Sequence, residues 1–452
     1  MSLETCRAKM VAEGLPAVAV ETFAHYYRQL EAGETGLIPE SEIEPVESLP
    51  DADDLVDEAP RELLDQAVMI KLNGGLGTSM GMAGPKSLLV AKGDRTFLDL
   101  VAHQVCVLRA RSGARVPLVL MSSFATRDAS LAELGEGLSA DLEPDFVQHK
   151  EPKVTVDGLE PVVWPADPAL EWCPPGHGDL YTALQTSGQL EAMLARGYRY
   201  AFVSNSDNLA ATLDPRILAW MASEGAPFVM EAADRTSADR KGGHVAQDRG
   251  GGLLLREVAQ CPDEDLDAFQ DVARHRYFNT NAVWLDLQAV ADELERRDGV
   301  LGLPLIRNRK TVDPADKGSP AVFQIETAMG AALGVIAGAR ALRVPRSRFS
   351  PVKTTADLLA LRSDAYVVAD DGSVVLDPSR HGRPPFVDLD DEHYKLVGDF
   401  EPRFEAVPSL RGAEGLIVRG DVTFGPGVEI RGRVEVDASH GAVRIEDQVL
   451  EG

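Results

Sequence analysis

Residues 67–87 read AVMIKLNGGLGTSMGMAGPKS: a short apolar run that passes at once into a glycine-rich loop ending on a lysine. AVMIKL (67–72) has the length and composition of a buried strand. From Leu72 to Ser87 there are five glycines in 16 residues, one hydroxyl pair (Thr78, Ser79) and the terminal Lys86. Glycines placed after a strand let several backbone N–H groups converge on one anion, and the missing Cβ lets a phosphate come close. Two familiar motifs fail here. Pro85 separates Gly84 from Lys86, which breaks G-x-x-x-x-G-K-[ST], and Met80 stands where G-x-G-x-x-G needs its third glycine after Gly75 and Gly77. The stretch reads as a phosphate loop of another kind, since a plain surface turn would not need the lysine.

Further strands follow: VPLVLMSS (116–123), YRYAFVSN (198–205), PFVMEAA (227–233) and AVWLDL (282–287), with helical patterns such as DLYTALQTSGQLEAMLARG (179–197) between them. This alternation over 66–362 predicts an α/β core around a mainly parallel sheet, with its ligand crevice at the carboxyl ends of the strands. Residues 1–65 are a distinct segment with 16 acidic and 4 basic residues. Met10, Val11, Leu15, Val18, Phe23, Tyr26, Tyr27 and Leu30 predict one or two amphipathic helices there, and the acidic, proline-broken stretch 39–60 reads as a solvated linker. In 363–452, Leu416, Val422, Val428 and Val434 recur every six residues, as do Val418, Phe424, Ile430 and Val436. That period predicts a small β domain of hexapeptide β-helix type, with a β-meander as the alternative. Val443 and Ile445 fall out of the period. A stacked coil has open ends suited to self-association.

The whole chain has 452 residues and a net charge of −27, which argues against broad binding to nucleic acid or anionic membrane. Cys6, Cys106, Cys173 and Cys261 are too far apart for a metal or redox pair, and no disulfide framework is expected. The amino terminus has no apolar signal core, and the longest low-polarity run, 328–339, is too short to span a bilayer. The expectation is a cytoplasmic protein.

Several further strings carry chemistry. PPGHGD (174–179) places His177 between glycines, on a backbone that allows close ligand approach. SNSDN (204–208) puts Asp207 at the end of a strand, suited to Mg²⁺ with phosphate oxygens completing the shell, or to capping a helix. Lys241-Gly242-Gly243, FNTN (278–281) and QIET (324–327) suit a polar pocket, although asparagine-rich turns look the same. VPRSRFSPVKTT (344–355) gathers Arg346, Arg348 and Lys353, near Arg343, in an acidic protein. This fits a polyphosphate or a set of surface ion pairs.

In this order the strings resemble the UTP–glucose-1-phosphate uridylyltransferase (UDP-glucose pyrophosphorylase) family of eukaryotic-like type, over most of residues 65–436. The GGQGTR-like opening of the UDP-N-acetylhexosamine enzymes is missing. The resemblance implies a Rossmann-like, GT-A-like nucleotidyltransferase core and a C-terminal left-handed β-helix through which copies assemble. It implies that Leu72, Asn73, Gly74, Gly75 and Lys86 bind UTP, and that Gln148 and Gly176 read uracil. Gly75, His177, Asn205, Gly243, Asn279, Asn281 and Glu326 would contact glucose 1-phosphate. Asp207 would hold Mg²⁺ beside the nucleotide, and Lys86 and Lys353 would be the catalytic pair. The implied reaction is reversible: the sugar phosphate attacks the α-phosphorus of UTP in line, giving UDP-glucose and pyrophosphate.

The chain departs from the family strings at Ala83, Ala210, Ala282 and His244. The first is expected to weaken triphosphate binding and the others to loosen sugar discrimination. That keeps open a broad UDP-sugar or UDP-N-acetylhexosamine pyrophosphorylase. A catalytically silent nucleotide-sugar sensor is the alternative of another class, and a glycosyltransferase would be expected to carry a D-x-D pair that SNSDN lacks.

Overall fold

The computed structural model of the chain describes residues 2–452, with residue 237 in backbone only. The strand that opens the glycine loop, Ala67–Asn73, lies inside a ten-stranded sheet. Leu118–Ser122 and Tyr200–Asn205 flank it in parallel, and Asp145–Val147 extends the row. Past Tyr200–Asn205 comes Tyr277–Asp286, antiparallel, and then Phe228–Asp234 and Arg340–Val344, which again run with the first four. Six of these seven strands share one direction, so the predicted mainly parallel sheet is observed.

Period-two alternation explains why this sheet is buried on both faces. Ala67, Met69, Leu118, Leu120 and Phe202 enter one core. Val68, Ile70, Val119, Met121 and Val203 enter the other. Strands covered on both sides read as continuous apolar runs, as these do. The helical pattern of 179–197 becomes two helices, Leu180–Thr186 and Gln189–Ala195, parted at Gly188, whose φ is +76°.

The amino-terminal segment forms two helices, Ser2–Ala12 and Ala17–Glu31, with Met10, Phe23, Tyr26, Tyr27 and Leu30 buried and Val11 exposed. The expected linker 39–60 is corrected. Ile43–Pro45 pairs antiparallel with His244–Asp248 as an edge strand of the main sheet. Glu40 accepts hydrogen bonds from Arg256 at 2.7 Å and Arg274 at 2.6 Å, and lies 3.0 Å from the His275 ring. Asp51 and Asp53 pair with Arg343. Glu40, Asp51 and Asp53 therefore meet specific cations, while Glu42, Glu44, Glu47, Asp54, Asp57 and Glu58 stay exposed.

This cluster also corrects the expectation for His244. Gly243 lies against Glu257, but the His244 ring points the other way, stacked on His275 with centroids 3.9 Å apart and edge-on to Phe269. It is fully buried, and neither ring nitrogen has a partner. Burial, with His275, Arg235 and Arg256 nearby, holds the imidazole neutral, well below its ordinary range. Only the unfolded chain then gains the proton as pH falls through about 6.5, so acidification costs the native state stability. His244→Phe removes two orphaned polar atoms and that titration. It is expected to stabilise by about 1 kcal/mol or more at pH 8, with a larger gain at pH 5.5. Urea denaturation at the two pH values measures both.

The carboxyl-terminal residues form a parallel coil and not a meander. Phe386–Leu389, Ser409–Phe424, Glu429–Ile445 and Val449–Glu451 stack in parallel, with Leu416 opposite Val434 and Val418 opposite Val436. Partners 18 residues apart mean three hexads per turn. Val443 and Ile445 pair with Val422 and Phe424, so the lost period is an insertion and the stack resumes. Among the described residues no helix is long and apolar enough to cross a membrane, and the four cysteines are free.

Candidate active site

The glycine loop leaves its strand and bends back on itself. Gly77 and Gly81 adopt φ of +62° and +73° on either side of the Thr78–Met80 turn, and the Lys86 amide donates to the Gly75 carbonyl at 3.1 Å. Gly75 faces open space, whereas a Cβ on Gly74 would lie 2.7 Å from the Gln148 side-chain oxygen. Gln148 and Gly74 are thus neighbours. Asn73 is turned inward, its amide donating to Ser130 Oγ at 2.8 Å, and the Leu72 carbonyl accepts from the Ser206 amide at 3.1 Å.

Three distant strings meet beside this loop. Lys86 Nζ lies 2.7 Å from Asp207 Oδ2 and also donates to the Val352 carbonyl. The Val352 amide donates to the Asp207 carbonyl at 3.2 Å, which brings Lys353 alongside. Lys353 itself is exposed. Asp207 Oδ1 is buried and has no partner.

A second polar cluster forms where Tyr277–Asp286 outruns its neighbour. It pairs with Tyr200–Asn205 as far as Ala282, then with His244 at Phe278, and Asn279–Asn281 lie between these rungs. Asn281 has φ of +56°, unusual for a side chain other than glycine. Its amide donates to Asn279 Oδ1 at 2.9 Å, and Asn279 Nδ2 donates to Asn281 Oδ1 at 2.9 Å. Glu257 joins them. Burial raises its pKa, against the opposing pull of the Asn279 side chain and the Lys353 charge. A Cβ on Gly243 would sit 2.4 Å from the Glu257 carboxylate. Lys353 thereby links the two clusters.

His177 closes one wall. Its Nδ1 accepts from the Met329 amide at 3.0 Å, which leaves the proton on Nε2 as a donor. Burial lowers its pKa to about 4, so the ring stays neutral. The flanking glycines are required. Gly176 has φ of +75°, and a Cβ there would lie 2.4 Å from the Thr327 carbonyl oxygen. A Cβ on Gly178 would lie 2.2 Å from Thr327 Oγ1. Asp179 accepts from the His149 amide at 2.6 Å, tying this turn to Gln148.

Lys86, Asp207 and Lys353 are therefore brought together, as are Gly243, Asn279 and Asn281, with Asn205 ending the neighbouring strand. Glu326 lies along the His177 wall, where a Cβ on Gly176 would sit 3.2 Å from its own Cβ. Burial raises its pKa, and its carboxyl meets Asn308 and Lys310. Among the described residues no contact joins it to Asn279 or Asn281. Ala83 is exposed on the loop. Ala210 and Ala282 are 4 % and 1 % exposed, and Ala282 packs in the core that holds Phe202 and Trp284, so neither widens the second cluster as expected. Sequence reading missed Glu257, whose only signal is one acid after the apolar run LLLR.

A glycine loop and two lysines at the carboxyl edge of a mainly parallel sheet, with a carboxylate oxygen left free between them, define an α/β nucleotidyltransferase. The chain belongs to the UTP–glucose-1-phosphate uridylyltransferase family, whose sequence model matches residues 20–431. It is 40 % identical to the UTP–glucose-1-phosphate uridylyltransferase of Solanum tuberosum over 384 residues, covering 84 % of this chain and 79 % of that one. Identity to the Saccharomyces cerevisiae enzyme of the same name is 42 % over 381 residues, covering 84 % and 75 %. The fold matches the UDP-glucose pyrophosphorylase of Leishmania major, solved in open and closed structures, with a TM-score of 0.92 and 44 % identity, covering 100 % of this chain and 99 % of that one.

Proposed function

We propose that the chain transfers a uridylyl group from UTP to glucose 1-phosphate, forming UDP-glucose and pyrophosphate, and that it also runs the reverse reaction. The observation that carries this reading is the convergence of Lys86, Asp207 and Val352–Lys353 next to the Gly243–Glu257–Asn279 cluster. The loop amides and Lys86 receive the triphosphate, Gln148 and Gly176 the base, and His177, Asn205, Gly243, Asn279 and Asn281 the sugar phosphate. Glu257 enters this reading as a sugar-hydroxyl partner, with Glu326 on the wall beside Gly176.

The attacking phosphate oxygen is already an anion, so no general base is needed. The work is alignment and charge neutralisation. His177 suits this role because it offers a neutral N–H and does not titrate near pH 7. Lys353, uncommitted in its side chain and placed between the two clusters, is set to follow charge as it moves from the α-phosphoryl group to the leaving pyrophosphate.

Asp207 fits a divalent cation, because its Oδ1 is buried without a partner. No group of three or more His, Cys, Asp or Glu able to hold a metal occurs among the described residues. A single carboxylate with substrate phosphates supplying the other oxygens is the arrangement Mg²⁺ favours. When bound there, Mg²⁺ would neutralise phosphate charge.

Free cysteines, Cys106 among them on the surface, support a reducing, cytoplasmic setting. The outer rung of the coil, with Val449 49 % exposed, supports assembly of copies through that end. The deciding experiment is pyrophosphate release with Mg²⁺, UTP and glucose, galactose or N-acetylglucosamine 1-phosphate. Strong preference for glucose 1-phosphate is expected. Equal rates would favour the broad-specificity alternative, and no release with any sugar would favour the sensor.

A further inference from the structure

Two buried cations, Arg348 and Lys71, lie beside the Asp207 turn and are held by protein partners. Arg348 is 10 % exposed and pairs with Glu231, which is 1 % exposed. The fork is bidentate: Nε donates to Glu231 Oε2 at 2.8 Å and Nη2 to Oε1 at 2.7 Å. Nη2 also donates to the Thr212 carbonyl at 2.8 Å. Glu231 falls where Phe228–Asp234 shifts register against its neighbour, and it accepts a further bond from Trp284 Nε1 at 2.9 Å. Irregular register of this kind re-aims a side chain.

The backbone around this pair joins two loops. The Arg348 carbonyl accepts from Asn208 Nδ2 at 3.1 Å, and the Ser350 amide donates to Asn208 Oδ1 at 3.0 Å. Asn208 bridges Pro351, and the Val352 amide reaches the Asp207 carbonyl. From the other side, buried Lys71 donates to Ser204 Oγ and the Ala211 carbonyl, both at 2.8 Å.

We propose that Arg348 is a positioning residue whose buried pair with Glu231 keeps the Asp207 turn and the Lys353 segment in one fixed register. Glu231 sits on Phe228–Asp234 and Arg348 in the turn after Arg340–Val344, two strands already held by their own ladder. What the guanidinium adds is the tie from Glu231 to the Thr212 carbonyl, which fixes the backbone whose own carbonyl accepts from Asn208. A buried ion pair is seldom needed for stability, and apolar replacement of both partners is often neutral. A planar fork that fixes geometry is a different service, and lysine cannot supply it.

The effect on turnover rests on the uridylyl-transfer reading, while the coupling of the loops does not. The test uses the full chain, as Arg348→Lys and as the double variant Glu231→Gln/Arg348→Met, which removes both charges of the pair together. Amide hydrogen exchange is followed without ligand, alongside kcat and KM. The double variant is expected to melt cooperatively, with exchange in 205–213 and 348–354 raised together by about tenfold or more and the central sheet unchanged. Its kcat is expected to fall about 100-fold, with the KM for glucose 1-phosphate within about twofold of the parent, and Arg348→Lys to lie between. Unchanged exchange in both segments, or a folded double variant with parental kcat, would overturn the proposal. If the parent itself transfers no uridylyl group, the exchange result alone decides the coupling.

Discussion

Asp207→Ala is expected to lower kcat by about a thousandfold or more while the protein still folds. Two features set the scale. One oxygen of this carboxylate holds Lys86 at 2.7 Å, and the other is buried with nothing to bind. Leaving a buried acceptor unsatisfied costs about 1–3 kcal/mol, and a cation bound at this oxygen would offset that cost. The variant loses the cation's partner and frees Lys86, which keeps the Val352 carbonyl as an acceptor. Asp207→Asn preserves shape but not charge and is expected to be nearly as slow. Pyrophosphate release across a Mg²⁺ series, with a thermal melt of the same samples, checks this. A variant within tenfold of the parent would remove Asp207 from the metal role.

Lys353→Ala is expected to cost about two to three orders of magnitude in kcat, with stability unchanged. The side chain is exposed, and the segment is fixed through its backbone, whose amide donates to Asp357 Oδ2 at 2.9 Å. No side-chain contact holding the fold is therefore lost. What disappears is a mobile positive charge near Glu257 and beside Val352, where the two substrates' phosphates would repel each other. Each charge-assisted hydrogen bond contributes about 1.5–3 kcal/mol, so a lysine that makes two in the transition state accounts for the loss expected. Arginine at this position keeps the charge with a larger, planar head and is expected to restore only part of the rate. Steady-state kinetics of the alanine and arginine variants, paired with melting curves, separate a catalytic role from a structural one. Parental turnover in the alanine variant would end the assignment.

Local chemistry made much of this legible in the sequence. The loop at 72–87 is recognisable because glycine and lysine after a buried strand answer a need that does not depend on the rest of the chain. The hexads of 416–436 are equally local, since each turn repeats the same contact. Non-local pairing was the obstacle elsewhere. Nothing in the acidic composition of 39–60 signals that Ile43 will face Asp248, or that Glu40 will meet Arg256, Arg274 and His275. Glu257 follows an ordinary apolar run, and only the approach of Gly243 and Asn279 gives it a place. Glu326, legible only through its family string, lies against Gly176. His244 and Ala282 lie next to site residues in sequence, yet strand alternation sends their side chains into the core.

The strand Ile43–Pro45 has a consequence for how the chain is made. Its partners, Ala246 to Asp248, leave the ribosome about 200 residues later. At about 5–20 residues per second, the arm waits roughly 10 to 40 seconds with its edge unpaired. During that interval its acids have neither Arg256 nor Arg343 to pair with, and like charge is expected to repel other nascent chains. The charges that fasten the finished sheet thus first keep its unfinished edge apart from other chains.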